Sequence, residues 1–194
     1  MTAGYFRLNE TLWAGCDDSD EDTASSGFTS SGPQAPDAQG AVAVTFVDPG
    51  EGCDYTGHSA TIGEVTYDTK DRVIVDGEEG AEVSCSVTGE GTFAVSARAA
   101  AGANYLKVDI AAIDTSASSE AAAAPGTISY ASPSTAGDVL ESPAASCAFW
   151  FTSETNESVA AGRVWATFRC SQVVTGGSTC EIAESVFIFE NCGP

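Results

Sequence analysis

Positive charge is what this sequence has least of. Seven Lys and Arg stand against 28 Asp and Glu, a formal net charge of -21 at pH 7. Nucleic-acid binding rests on Lys and Arg that displace the counterions of phosphate, and adhesion to anionic lipid needs the same groups, so both are excluded as expectations. Such an excess suits a surface kept soluble by mutual repulsion and screened by the cations of an extracellular medium. Histidine and methionine occur once each. A single His, with no Cys-x-x-Cys anywhere, cannot build a zinc ribbon or finger. There is no Gly-x-Ser-x-Gly elbow, no cofactor loop and no apolar run long enough to cross a membrane. Helical periodicity is missing too. Residues 116–124 have a helix-forming composition, but they are Ser-rich and end at Pro125-Gly126, which reads as a loop with at most one helical turn.

Cysteine, by contrast, is plentiful, with seven in 194 residues. At this density and without metal-ligand spacing, disulfides in an oxidising compartment are expected. An odd count leaves one over. Cys16 is the natural remainder, because Trp13-Ala14-Gly15-Cys16 resembles the bacterial lipobox, whose terminal cysteine carries lipid. Trp13 stands where that motif has Leu, and Arg7, Asn9 and Glu10 interrupt the apolar stretch that should precede it. A lipid on Cys16 is the one expected route to a membrane; the alternative is a free or intermolecular thiol. Residues 17–39 are Asp, Glu, Ser, Thr, Gly and Pro with Phe28 as the one sizeable apolar group, the composition of a solvated tether. The sequence therefore divides into a segment and tether at 1–39 and a domain at 40–194, long enough for one core.

Beyond Gly40 the pattern becomes short alternating runs broken by turn residues. Residues 41–47 place Val42, Val44 and Phe46 on one side, the period of a half-buried strand. Further strands are expected at 62–67, 72–75, 82–87, 92–98, 104–113 and 127–131, with Asp76-Gly77 and Gly89-Glu90-Gly91 supplying hairpin turns. Strands at this spacing without intervening helices indicate an all-β fold, an antiparallel β-sandwich stapled by disulfides.

The last quarter, 146–192, holds Cys147, Cys170, Cys180 and Cys192 and two of the three Trp. In the strand 146–152, Cys147, Phe149 and Phe151 share one face, with Trp150 on the other. In the strand 162–170, Val164, Ala166, Phe168 and Cys170 share one face, and Arg163, Trp165 and Arg169 the opposite one. A hairpin between them puts Trp150, Trp165, Arg163 and Arg169 on a common non-core face. Rigid aromatics flanked by arginine are what glycan-stacking and protein-docking surfaces use, so these four are the candidate ligand-binding residues. The competing expectation is that Val186–Phe189 covers both tryptophans, as large apolar groups are usually inside. His58 reads as a loop histidine with no marked serine partner. The acidic loops 48–54 and 76–79 are solvated turns that offer carboxylates to calcium, the only cofactor the sequence suggests, or a carboxylate pair to glycoside hydrolysis. Asn9-Glu10-Thr11 and Asn156-Glu157-Ser158 match the glycosylation pattern, which a bacterial chain usually leaves bare.

Val73-Ile74-Val75-Asp76-Gly77, Val83-Ser84-Cys85-Ser86-Val87, residues 92–97 and Gly126-Thr127-Ile128-Ser129-Tyr130, followed by the strand ending at Cys170, resemble the mycobacterial surface lipoprotein antigen family over residues 72–170. The resemblance implies a disulfide between Cys85 and Cys170, an acylated cysteine ahead of a tether, and a surface protein without an enzymatic site. Cys53, Cys147, Cys180 and Cys192 are additions to that pattern. Four cysteines allow three pairings, of which Cys53 with Cys147 and Cys180 with Cys192 is preferred. The expected function is a non-enzymatic binding module at a bacterial surface or in the medium, outer-membrane-anchored if Cys16 is lipidated. Its partner would be a glycan or a surface protein. The alternative is a self-associating subunit of a surface filament or array.

Overall fold

The computed structural model describes residues 36–193 except Pro49 and Glu154. They belong to a compact unit, Ala35–Pro194. The Cys16 motif, the Asn9 sequon and the tether as far as residue 35 lie outside the described residues.

Fourteen strands follow one another: β1 (Gln39–Val47), β2 (His58–Ile62), β3 (Glu64–Val65), β4 (Lys70–Arg72), β5 (Ile74–Val75), β6 (Glu82–Glu90), β7 (Thr92–Ala101), β8 (Asn104–Asp114), β9 (Ala124–Ala131), β10 (Leu140–Glu141), β11 (Cys147–Trp150), β12 (Ser158–Ala160), β13 (Arg163–Thr175) and β14 (Ser178–Glu190). Helix among the described residues is confined to three single 3₁₀ turns, one of them at Glu120–Ala122 in the stretch expected to be a loop. The fold is all-β and antiparallel.

Twelve strands form one sheet in the order β2-β1-β14-β13-β10-β9-β8-β7-β6, with β11 bridging β13 and β9, and β3–β4 forming a separate hairpin. The sheet folds over, so that β1 and β2 face β6, β7 and β8 across a shared core. Val42, Val44 and Phe46 point into it as their alternation requires. So do Cys147, Phe149, Phe151, Val164, Ala166, Phe168 and Cys170. Phe149, Phe168 and Phe187 sit 5.7–6.2 Å apart, centroid to centroid, the spacing at which aromatic pairs add to simple burial.

One expectation about strands is corrected and another is extended. The strand expected at 62–67 is broken by Gly63, which adopts φ 67° and approaches Arg72 so closely that a Cβ would lie 2.4 Å from its carbonyl oxygen. Val186–Phe189 does help cover Trp165, through Val186 and Ile188, but as part of the 13-residue β14, which runs centrally between β1 and β13. Its Phe187 and Phe189 belong to the main core. β14 also carries a bulge. Cys170 and Phe168 pair with Ile182 and Ser185, so β14 uses one more residue than β13 over this stretch, and one more than β1 between Phe46 and Ala43. The extra residue reverses which side chains face inward, from Cys180 and Ile182 before it to Phe187 and Phe189 after it.

All six cysteines of the domain are bridged, but not as expected. The bonds are Cys53–Cys180, Cys85–Cys192 and Cys147–Cys170. Cys170 pairs in register with Cys147 across β11–β13, so their side chains meet on the same face of adjacent strands. The Cys85–Cys170 bridge implied by the family resemblance is therefore not formed. Cys85 on β6 is met by the chain end, where Gly193 N–H donates to the Cys85 carbonyl at 3.0 Å. Cys53 is held beside the β13–β14 turn, where Thr179 N–H donates to Gly52 and Asp54 N–H donates to Ser178 Oγ, and it meets Cys180 rather than Cys147.

Candidate functional site

The face expected to carry the ligand is a second packed layer. Trp165 is 2% exposed and Trp150 5%. Trp165 packs with Ala41, Val65, Val186 and Ile188 on the side of the sheet away from the main core. What covers it is the β3–β4 hairpin. The arginines are engaged as well: Arg163 pairs with Glu190 at 3.3 Å, and Arg169 with Glu181 at 2.8 Å and Glu120 at 3.5 Å. Buried as they are, Trp150 and Trp165 offer no open stacking surface, which corrects the ligand-binding expectation for the pair; Arg163 and Arg169 stay partly exposed but flank no open aromatic from these two.

Trp165 nevertheless leads to the site. Its indole N–H donates to the Thr66 carbonyl at 3.1 Å and so pins the turn that joins β3 to β4. The turn is tightly closed within itself. Thr66 N–H donates to the Thr69 carbonyl at 2.8 Å, and Thr66 Oγ1 accepts from the backbone N–H groups of Asp68 and Thr69. Asn156 Nδ2 donates to the Asp68 carbonyl at 2.9 Å and braces it from the other side. Tyr67, at the tip, is 46% exposed; among the described residues the only other large apolar side chain so open is Val139, at 45%.

Between this turn and the outer face of β1 and β14 runs a groove of about 590 Å³. Ala43, Val65 and Val186 give it apolar surface, Tyr67 and Asp68 stand on one side, and Glu184 on the other. Glu184 is there because of the bulge. The register shift leaves Thr45 N–H without a ladder partner; Ser185 Oγ accepts from it at 2.9 Å while donating to the Ala183 carbonyl at 2.8 Å. With Ser185 turned inward, 5% exposed, Glu184 faces solvent. No signal in the sequence marked Tyr67, Asp68 or Glu184. A fixed turn, an open aromatic and a bulge that aims a carboxylate come together only through the register.

Glu157 lies on the same face of the sheet, 8% exposed. Its carboxylate accepts from Thr152 N–H and from the Thr167 hydroxyl, and no described Lys or Arg pairs with it. Burial pushes its carboxyl pKa up, the hydrogen bonds of Thr167 and Thr152 pull it partly back, and Glu184 adds to the rise.

His58 opens β2 rather than sitting in a loop. Its Nδ1 lies 2.8 Å from the Thr56 carbonyl, and its Nε2 2.8 Å from both the Tyr130 hydroxyl and Ser132 Oγ. A carbonyl can only accept, so the assigned tautomer carries its proton on Nδ1, and Nε2 accepts from the hydroxyls. Ser132 and Tyr130 are each 1% exposed, and the imidazole stacks on Phe46 at 4.8 Å. The arrangement ties β2 to the end of β9; the buried hydroxyl offers no path to a substrate carbonyl. In the acidic loops the carboxylates cap turns: Asp48 accepts from Gly50 N–H, Asp76 from Val83 N–H, and Glu78 from Val75 N–H and Arg72. No group of three or more metal-ligating side chains occurs among the described residues.

No protein-family model, curated protein or solved structure matches the chain. What the groove takes must be read from its own residues.

Proposed function

We propose that the protein is a non-enzymatic interaction module of an extracellular, oxidising setting at a bacterial surface, and that it binds its ligand in the groove beneath Tyr67. The observation that carries this is Tyr67 itself, an aromatic ring left open on a turn whose backbone is held by Trp165 and Asn156. An exposed aromatic on a braced element loses little freedom when a ligand covers it, which is what a recognition residue needs. Three disulfides in one small domain fit a compartment where thiols oxidise. Anchorage through lipid on Cys16 is compatible with this reading.

The test is retention on glycan and surface-protein arrays. Tyr67→Ala is expected to abolish retention with the melting temperature unchanged, while Val139→Ala leaves both as they were. Retention that survives Tyr67→Ala removes the groove from consideration, and ordered fibres from the purified protein would favour a structural subunit instead.

A further inference from the structure

The groove's charge says what kind of ligand it takes, an inference that rests on the groove being the binding site. We infer that it recognises a basic peptide segment of a different protein, with a Lys or Arg side chain laid along Tyr67 and its cation on the carboxylates of Asp68 and Glu184.

Three observations carry this. First, the residues lining the groove include two carboxylates and no cation. A phosphate, sulfate or uronate would be repelled there, and an uncharged ligand would strip water from two charges without replacing it. Second, neither carboxylate is spent inside the protein: Asp68 and Glu184 form no ion pair among the described residues. Every described Lys and Arg, in contrast, has a carboxylate partner: Lys70 with Glu190, Arg72 with Glu78, Arg98 with Glu82, Lys107 with Asp109, Arg163 with Glu190 and Arg169 with Glu181. The described cations of a second copy already have carboxylate partners, which favours a partner of another kind. Third, Tyr67 presents an aromatic ring beside those carboxylates, and half-buried Ala43 with the largely covered Val65 and Val186 form the groove's apolar floor. That is the setting in which an aliphatic stem packs while its cation meets both a ring face and a carboxylate. The formal charge of -21 steers a basic partner towards the protein from a distance but cannot by itself select this groove.

The experiment therefore separates the groove from the general field. Fluorescence polarisation is read with two labelled probes, the peptide Gly-Ala-Lys-Ala-Arg-Ala-Gly and a neutral glucose oligosaccharide, against the full chain and four variants. Asp68→Asn/Glu184→Gln removes two charges in the groove; Glu51→Gln/Glu90→Gln removes two exposed charges elsewhere. Peptide affinity is expected to fall about 10-fold in the first and less than about 2-fold in the second, with a loss of similar size in Tyr67→Ala and near-normal binding in Tyr67→Phe. Equal losses in the two double variants, or no peptide binding at all, overturn the inference. If the oligosaccharide binds in a Tyr67-dependent way and the peptide does not, the groove stands and its basic ligand falls. If Tyr67→Ala alters the binding of neither probe, the groove itself falls. Matching melting temperatures for all variants exclude loss of fold as the cause.

Discussion

Glu157 is a carboxyl group with two hydrogen-bond donors and no cation partner among the described residues, set against the packed outer face of the sheet. Its folded pKa is raised above the ordinary 4.5, burial being the main cause. The sign follows directly. Folding favours the protonated form, so the contribution of this group is fully present below its unfolded pKa and is lost as the pH rises through its folded pKa. Glutamine keeps one oxygen for Thr152 N–H and offers an amide to Thr167 Oγ1, and it never ionises. Glu157→Gln is therefore expected to raise the melting temperature at pH 7–8, where each ~1 kcal/mol gained corresponds to roughly 2–4 °C in a chain of this size. The gain over the natural chain should vanish near pH 4. A gain that is the same at both pH values would show that ionisation of Glu157 plays no part.

The β14 bulge shows how far the strands could be read from sequence. Where alternation is unbroken, as in Val42, Val44 and Phe46, or Cys147, Phe149 and Phe151, the inward face was legible because a strand's period is two. Across Ala183–Ser185 the period slips by one residue, and only Val186–Phe189 of the 13 residues of β14 stood out as a strand. The same slip hid the groove, since Glu184 reaches it only by virtue of the shifted register. Ser185 Oγ repairs the ladder by accepting from Thr45 N–H at 2.9 Å. Ser185→Ala leaves that donor unpaired at a part-buried position, a defect that costs about 1–3 kcal/mol. Hydrogen exchange should show the Thr45 amide losing protection while amides near Gly40, on the far side of the bulge, keep theirs. Unchanged protection at Thr45 would mean that the bulge is held by something other than this hydroxyl.

Over the whole molecule, composition indicated the use of the cysteines but not their partners. Seven cysteines without metal spacing correctly implied disulfides, and the strand pattern correctly implied an all-β antiparallel fold. Pairing depends on which strands become neighbours, and nothing local in the sequence specifies that β6 ends up beside the chain terminus. Cys85–Cys192 is the covalent record of that neighbourhood: it joins residues 107 apart and sits where Gly193 N–H meets the Cys85 carbonyl and Gly162 N–H meets that of Val87. Those contacts occupy the outer edge of β6, which would otherwise present open backbone groups. Pepsin digestion at low pH, where thiolate exchange is suppressed, should release the pairs Cys53–Cys180, Cys85–Cys192 and Cys147–Cys170 without reduction. A Cys85–Cys170 peptide would contradict the strand order. In the chain-entropy account a bridge closing a loop of ~100 residues contributes about 4–5 kcal/mol, so Cys85→Ala/Cys192→Ala should lower stability by a large part of the whole. Its signature is local as well as global. At temperatures where the variant is still folded, the Gly193 and Gly162 amides should lose exchange protection, while β13 and β14, enclosed between other strands, keep theirs. Uniform loss throughout the sheet would mean that the bridge stabilises only by constraining the unfolded chain and does nothing to hold this edge closed.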